Sequence, residues 1–457
     1  MEAGLFRFLR FSLGLEGEVK GLLDGRKGCF DWDACYQFAK RQTLVGVLFD
    51  GIQRLPKELA PARPLLLRWL SDSESIRRRN MRMDRASAYI YNKVCAAGFR
   101  CCILKGQGNA LLYPHPSSRI PGDVDVWVMA NREELRHIAL SLTEGDGSSL
   151  QESLNHIGLT VHGVSVELHS TPALLNSPLH NNRLQRWFKR NADLQCSNRI
   201  ALPNNAGEVA VPTVSFNIIY QLCHLFHHCF YEGVGLRQIV DYYFVLKNTD
   251  FSGNTDEGAG NTDRDGVLLN TDYTDFTDRF SGNTDGGGFL LNTDYTDSTD
   301  SSSGDFEGDG CLLNTDCADF LDSSSGGLGE VDSGGALVAL QEELKWLGLW
   351  EFAGAVMYVL REVMGLDEKR MICAPDERRG RLLLEEIMAG GNFGHYDERN
   401  HFGQGALWHN IQRFRRDWRM LRFYPSEALS EPLFRACHFL WRWKQKHTGK
   451  PKERNCN

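Results

Sequence analysis

Residues 120–128 read Ile-Pro-Gly-Asp-Val-Asp-Val-Trp-Val, and this stretch decides how the rest of the chain is interpreted. Asp123 and Asp125 alternate with apolar residues on a predicted strand, so both carboxylates point to the same face. Like charges held this close repel each other, and a divalent cation between them relieves the repulsion. Mg²⁺ commonly binds one or two carboxylates together with substrate phosphates. Taken alone, the pattern also fits a surface strand whose polar face carries two aspartates.

A glycine turn precedes this strand. Residues 99–104 predict a buried strand that runs into Lys105-Gly106, and residues 109–113 predict a short helix after the turn. Gly106 lets the backbone approach a phosphate closely, and Lys105 carries the charge that would neutralise it. The turn is not a Walker A motif, which has Gly-Lys-Ser/Thr after four spacer residues.

A third carboxylate follows on another predicted strand. Residues 156–169 predict a hairpin whose two strands join near Gly163, and Glu167 lies in the middle of the second strand. Two-metal phosphoryl-transfer sites use carboxylates from neighbouring strands in this way. The nearby residues His156 and His169 are interpreted as supporting or surface groups, and so is His162 at the turn.

The order of these elements resembles that of the polymerase-beta-like nucleotidyltransferase superfamily. The closer resemblance is to a bacterial family known only as uncharacterised nucleotidyltransferases, and it extends over most of the chain outside one insertion. It rests on Leu104-Lys105-Gly106, on Arg119 ahead of Gly122-Asp123-Val124-Asp125, on Val166 to His169, and on Gly235 to Asp241. Gln107 stands where the superfamily usually has a second Gly or Ser.

The resemblance implies an α+β fold with a small mixed sheet of polymerase-beta-like topology, flanked by N- and C-terminal helical regions. It implies transfer of a nucleoside monophosphate from an NTP to an acceptor, a small molecule or protein, with two Mg²⁺ ions (or Mn²⁺). The catalytic and metal-binding residues would be Asp123, Asp125 and Glu167. The substrate-binding residues would be Lys105, Gly106, Arg119, Arg237, Asp241, His224 and His228. The alternative is an inactive binding or regulatory protein that keeps this fold.

Two of these groups have other interpretations. His224, His227 and His228 share a helix with two cysteines, which suggests a zinc site, although packed or substrate-facing histidines fit the apolar surroundings better. Arg237 and Asp241 are spaced as a helix salt bridge, and the resemblance alone suggests that Arg237 contacts a phosphate or the acceptor.

The formal net charge of −8 hides an uneven distribution. Residues 248–335 contain twenty acidic residues and two arginines, so the remaining chain carries a net charge of +10. A basic folded portion suits a protein that handles nucleotides or nucleic acid. A C-terminal cluster predicts either a nucleic-acid surface or an amphipathic helix with a solvated basic face. Its members are Arg413, Phe414, Arg415, Arg416, Trp418, Arg419, Arg422 and Phe423.

The acidic segment consists of a 22-residue repeat in which Asn-Thr-Asp occurs seven times between 248 and 316. Each unit has a small apolar patch and much Gly, Ser, Thr and Asp, so disorder is favoured over a solenoid. The repeat does not fit the EF-hand or nonapeptide calcium motifs.

Five segments follow from this reading. They are an N-terminal helical region (1–98), the core sheet (99–175), a helical region packing on the site (176–247), the acidic insertion (248–335) and a C-terminal helical region (336–457). The last region is predicted to begin with an apolar helix over residues 336–360. No apolar run approaches the ~18 residues that a membrane span needs. The thirteen scattered cysteines predict reduced thiols in a cytoplasmic protein.

Overall fold

The computed structural model describes residues 2–17, 30–143, 150–249, 333–397, 399 and 406–448. The helices in this part of the chain are α1 (Glu2–Ser12), α2 (Trp32–Arg41), α3 (Val45–Gln53), α4 (Arg63–Ala96), α5 (Gly106–Ala110), α6 (Arg132–Leu142), α7 (Pro178–Ser197), α8 (Val214–Tyr231), α9 (Leu236–Lys247), α10 (Ser333–Trp346), α11 (Trp350–Met364), α12 (Glu377–Gly390), α13 (Ala406–Leu421) and α14 (Pro425–Thr448). The strands are β1 (Cys101–Leu104), β2 (Val124–Val128), β3 (Gln151–Glu152), β4 (His156–Val161), β5 (Val164–His169), β6 (Arg199–Leu202) and β7 (Gly207–Ala210).

Five of the strands form a mixed sheet in the order β1-β2-β5-β4-β3. Strand β2 pairs antiparallel with β1 and parallel with β5, and the hairpin β4-β5 forms where the sequence predicts it. The register places Asp125 opposite both Leu104 and Glu167. The predicted α+β fold, with a small mixed sheet and flanking helical regions, is confirmed.

Helix α8 covers the face of β2 that carries the aspartates. Trp127 shares that face with Asp125, because side chains two apart on a strand point the same way. Its ring stacks on Phe216 with centroids 5.8 Å apart. Further along α8, the row of aromatic rings that begins at Phe216 continues through Tyr220 and His224, whose ring centroids are 6.2 Å apart. The apolar start of α8 therefore anchors the helix on the core, and its later turns lie over the aspartates.

The chain segments before and after residues 250–332 belong to the same compact unit. Nearly all residues of helix α9 are buried, and the helix packs against α11, which follows residue 332 in the chain. Most of the predicted acidic insertion lies outside the described residues, so its disorder remains a prediction.

Three details differ from the predicted elements. The helix after the glycine turn is Gly106–Ala110 rather than 109–113. Residues 199–210, in a region predicted as mainly helical, form the hairpin β6-β7, since Asn204 and Asn205 adopt positive φ angles at its turn. The predicted helix from 336 to 360 is divided in two at Gly348, which has φ +72°. These breaks depend on left-handed backbone positions that hydrophobic periodicity does not reveal.

Candidate functional site

The structure places every predicted site residue around one cavity of about 570 Å³. Its volume lies within the range of small-molecule sites, roughly 300–1,000 Å³. The predicted residues that line it are Lys105, Gly106, Arg119, Asp123, Asp125, Glu167, His224, His228, Arg237 and Asp241. Segments distant in sequence thus meet at one place, at the N-terminal end of β2 and beneath α8.

Three carboxylates converge at one end of this cavity. Oxygen atoms of Asp123, Asp125 and Glu167 all lie within 4.8 Å of one another. The parallel pairing of β2 with β5 causes this, because it sets Asp125 directly beside Glu167. The negative charge of Asp125, together with burial, raises the pKa of Asp123 to about 6. This shift is the repulsion expected of clustered carboxylates.

Asp125 is buried, with 5% of its surface exposed, and a basic side chain contacts each of its oxygens. Lys105 Nζ lies 3.0 Å from Oδ2, and His169 Nε2 lies 3.0 Å from Oδ1. Burial alone would raise the pKa of Asp125, but the Lys105 charge and the His169 hydrogen bond outweigh it and hold the pKa below its usual range. Asp125 is therefore the firmly ionised member of the trio.

His169 bridges two carboxylates, since its Nε2 also lies 3.2 Å from Glu167 Oε2. Burial would lower the pKa of His169, but hydrogen bonds to Asp125 and Glu167 raise it to about 9. His156 stands beside it, with Nε2 3.5 Å from Glu167 Oε1. His156, Glu167 and His169 form a second group whose ligand atoms lie within 4.8 Å of one another. Sequence reasoning treated both histidines as supporting or surface groups. Their positions opposite each other on adjacent strands become visible only in the sheet register.

Lys105 has an unusual backbone conformation, with φ 48° and ψ −127° at the end of β1. A residue with a side chain rarely adopts this region, and the strain is typical of functional turns. The conformation directs the amine between Asp125 and His224, whose Nε2 lies 2.6 Å away. Burial and the Lys105 charge lower the pKa of His224 well below its ordinary value, so the imidazole is neutral and accepts from Lys105.

A chain of contacts leads from Lys105 along α8. His228 Nε2 lies 3.1 Å from His224 Nε2, and His228 Nδ1 lies 3.2 Å from Glu232 Oε2. Within the described residues, the groups of three or more potential ligands that converge are the two around Glu167. The zinc alternative for the α8 histidines is therefore not supported. His162 is exposed at its turn beside Tyr89.

Arg119 and Asp241 form a buried bidentate ion pair. Arg119 Nε and Nη2 donate to Asp241 Oδ1 and Oδ2, each at 2.7 Å, and Tyr113 also donates to Oδ1. Burial would raise the pKa of Asp241, but Arg119 lowers it. Arg237 donates instead to the Ile120 carbonyl at 3.1 Å. Asp241 therefore pairs with Arg119 and not, as the helix spacing had suggested, with Arg237. The Arg119–Asp241 ion pair links α9 to the loop before Asp123.

Arg119 and Arg237 each have a buried side-chain nitrogen that makes no hydrogen bond in the described part of the chain. These nitrogens are Arg119 Nη1 and Arg237 Nε. Both guanidinium groups line the cavity, and guanidinium groups there suit an anionic ligand.

The members of the C-terminal arginine and aromatic cluster lie in three environments: the cavity, the protein surface and the contact with the end of α8. Arg413 lines the cavity, whereas Phe414 and Trp418 are exposed. Arg416 is directed inward, toward the Phe230 and Glu232 carbonyls at 3.5 Å each. Helix α14 adds Phe434, His438 and Arg442 to the lining, three residues that sequence reasoning did not single out.

The chain matches a known protein family. The family model described as "Uncharacterised nucleotidyltransferase" matches residues 28–258, which include all ten predicted site residues. No curated protein and no solved structure matches the chain significantly. Among the described helices, none has the length and apolar character required to cross a membrane.

Proposed function

The chain belongs to the uncharacterised nucleotidyltransferase family, and from that premise we propose that it transfers a nucleoside monophosphate from an NTP to an acceptor. The observation that carries this proposal is the convergence of Asp123, Asp125 and Glu167 beside the strained Lys105 turn. Acidic oxygens and a phosphate-neutralising amine at the end of one cavity are what nucleotidyl transfer requires.

The carboxylate trio fits a divalent cation. Its oxygens converge within 4.8 Å, and the raised pKa of Asp123 reports a repulsion that a cation would relieve. Carboxylate oxygens suit Mg²⁺, and the neighbouring imidazoles make Mn²⁺ an alternative. Asp123, Asp125 and Glu167 would hold the ion or ions. When bound, the cation would supply charge neutralisation for the triphosphate and the attacking oxygen.

The chain's own residues position the triphosphate. The Lys105 amine and the guanidinium charges of Arg119 and Arg237, which line the cavity, neutralise and orient its oxygens. Gly106, at φ +40°, lets the backbone turn toward them. Asp241 holds Arg119 in place rather than contacting the substrate, since its oxygens accept from Arg119 and Tyr113. Positioning and charge neutralisation supply most of the catalysis in this chemistry.

In this proposal Glu167 receives the acceptor's proton. Its side chain is 30% exposed, lines the cavity and is oriented by His169 and His156. As the acceptor oxygen bonds to the α-phosphorus, the bond from that phosphorus to the β-phosphate oxygen breaks. Pyrophosphate leaves with the bonding electrons, and the acceptor's proton passes to Glu167.

One observation favours a second candidate, an NTP-binding regulatory protein without turnover. Both oxygens of Asp125 already have basic partners within the protein, so a cation must compete with Lys105 and His169. Turnover distinguishes this candidate from the enzyme.

The test is to incubate the protein with Mg²⁺, each α-³²P-labelled NTP and cell extract, and to follow labelled products and pyrophosphate. We expect a labelled acceptor with wild type and with Asp33→Asn, whose exposed carboxylate does not line the cavity. We expect none with Asp123→Asn or Asp125→Asn. Equal labelling by all four proteins would contradict the proposed site.

A further inference from the structure

The cavity has a second end that differs chemically from the carboxylate end. Its lining comes from Tyr231 at the end of α8, from Arg413 on α13, and from Phe434, His438 and Arg442 on α14. The α13 and α14 residues lie beyond residues 28–258, the part of the chain that the family model matches. Apart from Tyr231, this end is therefore built by a region that the family model does not match.

Helix α8 sets the distance between the two ends. His224 contacts Lys105 at the carboxylate end, and Tyr231 follows seven residues later on the same side of the helix. At 1.5 Å per residue, the two positions are separated by about 10 Å along the helix axis. Because its ribose separates the base from the phosphates, an NTP with its triphosphate near Lys105 is long enough for its base to reach the Tyr231 end.

The second end presents aromatic rings and guanidinium groups. Tyr231 and Phe434 have ring centroids 6.3 Å apart at 72°, and the Arg413 guanidinium lies 5.7 Å from the Tyr231 centroid. Glu232, which follows α8 here, is paired with His228. Aromatic faces with adjacent arginines bind planar bases by stacking and cation–π contact, whichever base is presented.

Helix α14 is held firmly in this position. Glu427 is buried, and its Oε2 accepts the backbone N–H of Asn176 at 2.7 Å. Tyr231 donates to the Asn176 side chain at 2.8 Å, so the same loop anchors both walls. Arg132 on α6 lies 4.4 Å from the Trp441 ring centroid and fastens the later part of α14. Preorganised rings cost little entropy when a ligand binds.

We propose that this aromatic end is the nucleobase subsite, in which Phe434 provides the stacking surface and Arg413 supports it. The assignment rests on the proposed function, because it takes the triphosphate at the carboxylate end as given. It means that the C-terminal helices, rather than the sheet, recognise the nucleoside part of the substrate.

Calorimetry with two kinds of ligand tests the subsite. The Mg²⁺ complexes of ATP, GTP, CTP and UTP carry a base, and Mg²⁺-tripolyphosphate is the base-free probe. We expect Phe434→Ala to weaken binding of the preferred NTP by roughly tenfold, the usual loss for a stacked base. Tripolyphosphate affinity should stay within about twofold, and Arg413→Ala should show the same selective loss to a smaller degree.

Two further variants separate a loss of base binding from a loss of folding. Phe439 lies on the same helix but is 67% exposed and outside the cavity, so Phe439→Ala should leave both affinities unchanged. Phe434→Trp keeps an aromatic face and should retain most of the NTP affinity. Melting temperatures of all variants are compared, and the affinity of Phe434→Trp decides the question if Phe434→Ala unfolds.

Four outcomes overturn the inference. Phe434 variants that bind NTPs like wild type but lose transfer would assign this end to the acceptor. Equal losses for NTP and tripolyphosphate would show that the ring merely supports the cavity. A wild type that binds tripolyphosphate as tightly as every NTP would remove the base subsite and leave the proposed function standing. A wild type that binds neither ligand would overturn both.

Discussion

His169 Nε2 lies 3.0 Å from Asp125 Oδ1, so a cationic imidazole joins β5 to β2 where the site's carboxylates converge. The same nitrogen reaches Glu167. This bridge gives Asp125 and Asp123 different surroundings, although Asp123 lies only two residues before Asp125, immediately ahead of β2. Asp125 is stabilised by Lys105 and His169, whereas Asp123 is destabilised by Asp125. The two aspartates are therefore predicted to respond differently to substitution.

Asp123→Asn should maintain or raise the melting temperature, because it removes a repelled carboxylate. Asp125→Asn should lower stability by about 3 kcal/mol, because it leaves Lys105 and His169 without their buried partner. Both should lose Mg²⁺-dependent NTP binding. Thermal unfolding and calorimetry measure the two effects, and equal melting temperatures for the two variants would contradict the assigned electrostatics.

Lys105 combines a strained backbone with a functional amine, and two substitutions separate these properties. Lys105→Ala and Lys105→Gly both remove the amine, so both should weaken Mg²⁺–NTP binding at least tenfold. Glycine tolerates φ 48° without strain, so Lys105→Gly should be the more stable by about 1 kcal/mol. Unaltered NTP affinity in calorimetry would remove Lys105 from the phosphate site.

Asp84, which lies outside the carboxylate trio, should make the stability of the folded protein depend on pH. It is buried on α4 and accepts from the Gln107 amide, while Gln107 Oε1 lacks a partner within the described residues. Burial raises the pKa of Asp84 to about 6. Since the folded-state pKa exceeds the unfolded value, the protonated acid adds stability at low pH, and this contribution is lost as the pH rises through 6.

Asp84→Asn should therefore raise the melting temperature at pH 7.5, where the wild type buries a charge. The stabilisation should diminish as the pH falls toward 4, because the wild-type carboxyl is then neutral as well. The asparagine amide also supplies the donor that Gln107 Oε1 lacks. Melting curves of both proteins across this range measure the effect, and a pH-independent difference would exclude titration of Asp84 as its cause.

The main effect of Asp241→Asn should be a loss of folding stability and not a direct loss of a substrate contact. It leaves the Arg119 guanidinium buried without its bidentate partner, at a cost of about 3 kcal/mol. Chemical denaturation measures the loss. If Asp241→Asn kept wild-type stability and lost only NTP affinity, Asp241 would contact the substrate directly.

Replacing residues 250–332 by a short Gly-Ser linker should preserve cooperative unfolding and Mg²⁺–NTP binding. The segments on both sides belong to one unit, and α9 already packs on α11. Circular dichroism melting and calorimetry compare the deletion variant with the full chain. Loss of cooperative unfolding would show that the repeat contributes to the core.

Local sequence patterns were sufficient for the elements that carry the chemistry. Alternation of Asp123 and Asp125 with apolar residues predicted the strand over residues 124–128 and the shared face of the two aspartates. Residues 156–169 predicted the hairpin with Glu167. These features depend on the two-residue period of a strand, which is set by neighbouring residues alone. Left-handed turns at Asn204 and Gly348 escaped detection, because no periodicity marks them.

The sequence by itself thus determined the fold class, the acidic strand and ten of the residues that line the cavity. Only the tertiary structure decided their partners. The parallel pairing of β2 with β5 brought His169 between Asp125 and Glu167, and helix docking paired Arg119 with Asp241. Packing also set Phe434 opposite Tyr231, some two hundred residues earlier in the chain. Such contacts depend on how distant apolar surfaces fit together, and that information is not contained in any local pattern.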